Sequence, residues 1–183
     1  IDTIRIAAGV YTPYETNLAD SRSATFDLGE GLNLYGSYPG GGGVRDSKNN
    51  VTILSGEIGD YTITSDNAYH VVTINNVVNS ATLDGLTISG GNANVPGNDT
   101  GGGIIHKASG YGISSKPLIF NCIIQNNHAL YGGGFANISE NLAIASPVLA
   151  QSLIHDNSAE FDGGGILNEA NNTGSTEMKV RNC

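Results

Sequence analysis

Apolar and polar positions alternate in short blocks along this chain, and in its second half the blocks recur. Residues 86–93 (Leu-Thr-Ile-Ser-Gly-Gly-Asn-Ala), 122–129 (Cys-Ile-Ile-Gln-Asn-Asn-His-Ala) and 152–159 (Ser-Leu-Ile-His-Asp-Asn-Ser-Ala) share one pattern. Each is followed by a triple glycine and an apolar residue: Gly101-Gly102-Gly103-Ile104, Gly132-Gly133-Gly134-Phe135 and Gly163-Gly164-Gly165-Ile166. A period of about 30–36 residues is the signature of stacked units, each too short to bury an apolar face alone. Aligned, the units give three inward columns: Leu83, Ile119, Leu149, Val180; then Leu86, Cys122, Ser152, Cys183; then Ile88, Ile124, Ile154. An inward spacing of three and then two is not helical. It belongs to a strand that turns a corner and resumes its alternation.

The polar pairs Gly90-Gly91, Asn126-Asn127 and Asp156-Asn157 read as a second corner, since Gly and Asn tolerate left-handed backbone. Ala93, Ala129 and Ala159 fit a crowded inward site, and Ile104, Phe135 and Ile166 re-enter the core after the glycines. Two residues on, Asn137 and Asn168 can stack amide on amide, with His106 in their place in the first copy. Three strands and three corners per rung predict an all-β fold, a right-handed parallel β-helix of roughly five to six rungs, its hand set by the general rule for parallel crossovers. The segments 94–100, 106–116, 138–146 and 169–175 vary between copies and are expected to form an interaction face. Residues 1–80 show the same style without a clear repeat. Their alternating runs at 3–7, 24–28, 32–35, 51–54 and 69–74 read as irregular first rungs, and Tyr11-Thr12-Pro13-Tyr14 as an exposed loop. Residues 81–183 carry the regular repeats, so 1–183 is one β-helix segment. It starts without Met and stops inside a repeat, which reads as a fragment of a longer chain, incomplete at its C-terminal end.

Composition narrows the function classes. The 26 glycines and only 14% charged residues disfavour helices, while 39% hydrophobic residues suffice for a core. A net charge of −9, with eight scattered basic residues, argues against nucleic acid. No run approaches the roughly 18 apolar residues of a membrane span. Cys122 and Cys183 fall two rungs apart, about 9.6 Å at a strand spacing of about 4.8 Å, too far for a disulfide. Both are expected to be free, buried thiols.

Ile4-Arg5-Ile6-Ala7-Ala8-Gly9-Val10-Tyr11, Leu34-Tyr35-Gly36-Ser37-Tyr38, Thr52-Ile53-Leu54-Ser55-Gly56, Leu83-Asp84-Gly85-Leu86-Thr87-Ile88 and the Gly-Gly-Gly repeats resemble bacterial secreted right-handed β-helix repeat proteins. These are pectate-lyase-like in fold and related in style to the chlamydial polymorphic outer-membrane proteins. The chlamydial pattern pairs Gly-Gly-Ala/Ile with Phe-x-x-Asn; here Ile124 and Ile154 stand where that pattern has Phe. The resemblance implies an exported, extracellular or cell-surface bacterial protein, often one with a C-terminal sorting or anchoring region.

Chemistry-bearing motifs are weak. A polysaccharide lyase needs carboxylates holding Ca²⁺ and an Arg or Lys base, and a hydrolase needs paired carboxylates. Arg5, Arg22, Arg45 and Arg181, with Lys48, Lys107, Lys116 and Lys179, read as a solvated face. Asp99 and Asp162, close before the triple glycine, are the candidate calcium ligands; Tyr131 interrupts their ladder. Glu57, Asp60 and Asp66 match no known loop spacing, and Asp84 reads as a turn residue. His128 and His155 fall in outward columns, and His70 and His106 have no paired His at metal spacing. No Gly-x-Ser-x-Gly elbow occurs. Asn50, Asn98, Asn137 and Asn171 head N-glycosylation patterns. No catalytic residue and no cofactor beyond Ca²⁺ is assigned.

The expected function is therefore a structural or adhesive segment of an exported surface protein, a stiff rod displaying loops. Its partner would be a cell surface, extracellular matrix, polysaccharide or further copies of itself, since a solenoid's open strand edges can join into a filament. The alternative is a carbohydrate-binding or polysaccharide-cleaving β-helix, a lyase or glycoside hydrolase, with Tyr11, Tyr14, Tyr35, Tyr38, Tyr61 and Tyr69 offering sugar-stacking rings. Converging carboxylates in a groove along the rungs would mark the enzyme.

Overall fold

In the computed structural model, which describes residues 2–15 and 19–183, the chain winds as a parallel β-solenoid. Among the described residues the only helical piece is the 3₁₀ turn Ser21–Ser23. The first sheet has six strands, Asp2–Ala7, Leu32–Tyr38, Thr82–Asp84, Leu118–Phe120, Val148–Ala150 and Lys179–Arg181, so the chain starts a turn six times. The second sheet stacks Gly9–Tyr11, Thr52–Ser55, Thr87–Ser89, Ile123–Gln125 and Leu153–His155. The fold class expected from the repeat is the one observed, and the irregular first turns join the same sheets in register. Leu34 pairs with Leu83, and Leu54 with Ile88.

A regular turn has five strand segments where the sequence pattern suggests three. His128–Tyr131 forms a third sheet with Asn92–Ala93 and Ser158–Asp162. The fourth sheet holds Phe26–Asp27, Val72–Asn75, Ile104–Ser109, Phe135–Glu140 and Ile166–Ala170. Ser114–Ser115, Ile144–Ala145 and Ser175–Thr176 form a fifth. Segments 106–116, 138–146 and 169–175 are thus strand pieces joined by exposed turns at 111–112, 141–142 and 172–173, with the ladder running through Ser109↔Glu140 before the turn and Ser114↔Ile144 after it. The backbone ladder is indifferent to side chain, so the strands pair although their letters differ between copies.

The inward columns stack as read. Leu83↔Ile119↔Leu149↔Val180 and Ile88↔Ile124↔Ile154 are direct partners, and Cys122 N–H donates to Ser152 Oγ in the column between them. Leu83, Leu86, Ile88, Ile119, Ile124 and Phe135 lie in one continuous core, each essentially inaccessible to solvent. Burying one such side chain stabilises the fold by about 1.5–3 kcal/mol. Val180 is the exception at 51% exposed, on the edge strand of its sheet. Cys183, beside that edge strand, is exposed, contrary to expectation, while Cys122 is buried; both are free.

Left-handed backbone makes the corners. Asn121 and Gln151 follow the first sheet at φ 51° and 50°, and Asn126 and Asp156 follow the second at φ 54° and 52°. The triple glycine has three separate causes. Gly132 sits at φ 64°; a Cβ on Gly133 would lie 2.0 Å from Ser158 O; one on Gly134 would lie 2.5 Å from Gly165 O. The backbones of successive turns touch there, and only glycine fits. Under that contact, Asn127 Oδ1 accepts from Gly91 N–H, and Asn127 Nδ2 donates to Asn157 Oδ1 on the next turn.

Candidate functional site

Long connections replace tight corners in the first three turns; those at 19–25, 56–71 and 94–101 meet on one side, while 39–51 lies at the corner between the first and second sheets. Arg22, beside the 3₁₀ turn of the first, reaches into the second and third. Its Nε donates to Asn67 O at 2.7 Å, and its Nη2 donates to Asn92 O at 2.7 Å and Asn94 Oδ1 at 2.9 Å. The guanidinium lies 4.1 Å from the Tyr69 ring centroid, a cation–π contact. The Tyr69 hydroxyl donates to Asp20 Oδ2 at 2.8 Å. That bond raises the Tyr69 phenol above its ordinary value and, together with the Arg22 main-chain N–H, lowers the Asp20 carboxyl below its own. Arg22 is thus a brace, not part of a solvated face.

Against this brace opens a cleft of about 260 Å³ lined by Glu57, Thr64, Asn67, Gly90, Asn92 and His128, among others. Four buried side-chain oxygens of the described residues have no hydrogen-bond partner: Glu57 Oε1, Asp66 Oδ1, Asn67 Oδ1 and Asn92 Oδ1. Three of the four belong to the cleft. An orphaned buried acceptor costs about 1–3 kcal/mol, so three on one wall need an explanation.

Arg45, expected on a solvated face, and Asp84, expected as a turn residue, instead form a bidentate ion pair. Arg45 Nη1 and Nη2 donate to the two Asp84 oxygens at 2.8 and 2.6 Å, and Nε donates to Gly36 O at 2.8 Å. Removing either partner strands the other where Asp84 is only 11% exposed in its side chain. Arg45→Met is expected to cost about 2 kcal/mol, below the cost of breaking a fully buried pair because Arg45 is a quarter open to water. Urea denaturation of Arg45→Met, Asp84→Asn and the double variant checks this, with a coupling above about 1 kcal/mol expected. Arg5 and Arg181 are exposed as expected.

A third cluster is chemically suggestive and sealed. His106 Nδ1 donates to Asn137 Oδ1 at 2.6 Å, and the Ser115 hydroxyl donates to His106 Nε2 at 2.7 Å. Hydroxyl, imidazole and amide are in the order of a nucleophile, its base and an orienting group. All three residues are 0% exposed, so no substrate reaches them. The set is the first step of the anticipated amide ladder, continued by Asn137 Nδ2 to Asn168 Oδ1 at 2.6 Å. Burial pushes His106 down to about 4, opposed only in part by Asn137. The unfolded chain, with an ordinary value of about 6.5, takes up its proton first as pH falls. Stability is therefore full above about pH 6.5 and falls by about 3 kcal/mol toward pH 4. Denaturation at the two pH values should show His106→Asn to be markedly less acid-sensitive; His70, also lowered by burial, leaves a remainder.

Asp99 and Asp162 do not share a column. Tyr131 pairs with Thr100 on one side and with Asp162 on the other, so the two carboxylates stand two turns apart. Asp99 Oδ1 accepts from Thr100 Oγ1. Among the described residues, no three His, Cys, Asp or Glu side chains come together. Burial pushes the Cys122 thiol up to about 12, which removes it as a nucleophile. His128 and His155 are half-open, bonded to Ser158 and Asp156. Of the tyrosines named for sugar stacking, Tyr14 and Tyr61 are open at 87% and 83% exposed, while Tyr69 is buried. Asn137, at 0% exposed, is closed to glycosylation in the folded chain. Among the described residues, no helix is long and apolar enough to cross a membrane.

The sequence missed Arg22, Asn67 and Asn92 because their partners are mostly main-chain carbonyls, which leave no trace in residue identity. Asp84 did leave one. It is the lone acid in a column otherwise filled by Arg5, Tyr35, Phe120, Ala150 and Arg181. No family model, curated protein or solved structure matches the chain.

Proposed function

We propose that the chain is a structural, adhesive segment of an exported cell-surface protein, a stiff support that displays loops to a partner. The observation that carries this reading is the union of a regular ladder with one gathered loop patch. Residues 118–183 repeat a single hydrogen-bonded turn, while the connections at 19–25, 56–71 and 94–101 converge through Arg22. A scaffold of stacked strands holding irregular loops on one side is a common way to separate stability from recognition. The partner class is an extracellular matrix component, a cell-surface polysaccharide or another copy of the chain.

Binding of the purified chain to immobilised matrix proteins and polysaccharides tests this. Binding that is lost when residues 58–63 are replaced by a Gly-Ser linker, with the β-sheet spectrum unchanged, is the expected result. Depolymerisation of a bound polysaccharide, or binding indifferent to the linker, would overturn it. Open rings at Tyr14 and Tyr61 favour a second reading, carbohydrate binding in its own right. Loss of polysaccharide binding in Tyr61→Ala alone would select it.

A further inference from the structure

The cleft beneath the Arg22 brace presents oxygen acceptors with nothing to satisfy them. Asn67 Nδ2 donates to Gly90 O, and Asn92 Nδ2 donates to Thr64 O, each at 2.7 Å. Both partners are carbonyls, which only accept, so the amides cannot be turned round; the oxygen of each is the atom left over. Asn67 and Asn92 are 2% and 5% exposed, and their Oδ1 atoms are unpartnered, as is the buried Glu57 Oε1. His128, which also lines the cleft, supplies no donor to them. Its Nδ1 is bonded to Ser158 Oγ, and its Nε2 faces Glu160 at 3.9 Å.

The walls are also fixed in advance. The single guanidinium of Arg22 holds the main-chain carbonyls of both Asn67 and Asn92. Ligands placed by such an outer contact keep their geometry whether or not anything is bound. Carboxylate and amide oxygens, without nitrogen or sulfur, are the donors chosen by hard cations.

We propose that this cleft binds a hard metal cation of the Ca²⁺ type through Glu57 Oε1, Asn67 Oδ1 and Asn92 Oδ1, with water completing the shell. The site is separate from Asp99 and Asp162 and stands independently of the surface-rod reading. With one carboxylate among its ligands, its affinity falls in the weak range of extracellular calcium modules, a Kd of about 10⁻⁴–10⁻³ M. Mg²⁺, which demands a tight octahedron and sheds water reluctantly, binds more weakly.

Calorimetric titration of the chelator-treated chain with CaCl₂ at constant ionic strength should give one saturable site and a raised Tm. Glu57→Gln should weaken binding by about tenfold or more, since it removes the only charged ligand. In the unaltered chain, substoichiometric Mn²⁺ should broaden the amide resonances of residues 57, 64–67 and 90–92 before any others. Absence of saturation, a Tm indifferent to Ca²⁺ (ordered water only), or equal affinity in Glu57→Gln would overturn the proposal. So would broadening centred on Asp99 or Asp162.

Discussion

Ile124→Asp will leave no folded protein at room temperature. Ile124 is fully buried and sits between its direct partners Ile88 and Ile154. An aspartate there either carries an unpaired charge in the core or is held neutral, at a cost of about 4–7 kcal/mol for a shift of several pH units. Loss of the isoleucine's own burial adds about 1.5–3 kcal/mol. The sum is comparable to the entire stability of a domain, about 5–15 kcal/mol. A solenoid spreads the damage, because each turn is supported only by its neighbours. Circular dichroism and partitioning into inclusion bodies read the outcome; a soluble variant with an unchanged β-sheet spectrum would place Ile124 outside the core.

The second large effect is expected from a single methyl group, and it comes with its own control. Gly133→Ala places a Cβ 2.0 Å from Ser158 O and 2.8 Å from Gly164 O, both main-chain atoms of the next turn. Neither can rotate away, so turns must separate, and the bonds Gly133 N to Gly163 O and Gly134 N to Gly164 O weaken with them. A loss of about 3 kcal/mol or more is expected, at the upper end for an overpacked site. Gly164→Ala occupies the same place one turn later, where the nearest atom is 3.4 Å away. It should change stability by less than about 1 kcal/mol. Urea midpoints of the two variants decide it, and equal midpoints would mean that the turns do not approach as closely as described.

These pairs show why the fold was legible in the sequence. Positions 102 and 133 carry the same residue for the same reason, a main-chain oxygen of the next turn 2.2 and 2.0 Å from where a Cβ would fall, and Ile124 and Ile154 fill one inward column. Repetition turns each column into several independent statements about one environment. The strands within 106–116 and 138–146 were not legible, because their letters differ while the backbone ladder that pairs them is indifferent to side chain. The loop patch was illegible for a different reason. Residues 56–71 occur once, so nothing in the chain repeats their environment. Arg22 bonds to Asn67 and Asn92, which are 45 and 70 positions away. The acceptors there are carbonyls that every residue possesses. Cys122 shows the intermediate case, since its column announced burial and hence an inert thiol, whereas Cys183 in the same column lies at the edge of the stack and is open.

The proposed cation site and the display patch both depend on turns lying one strand spacing apart in this register. Backbone nuclear Overhauser contacts in the isotope-labelled chain test that most directly. Parallel cross-strand contacts should link the Ile124 segment to the Ile88 segment on one side and to the Ile154 segment on the other. Contacts shifted by even one residue, or the short sequential amide contacts of a helix through 122–125, would contradict the stacking on which the solenoid rests.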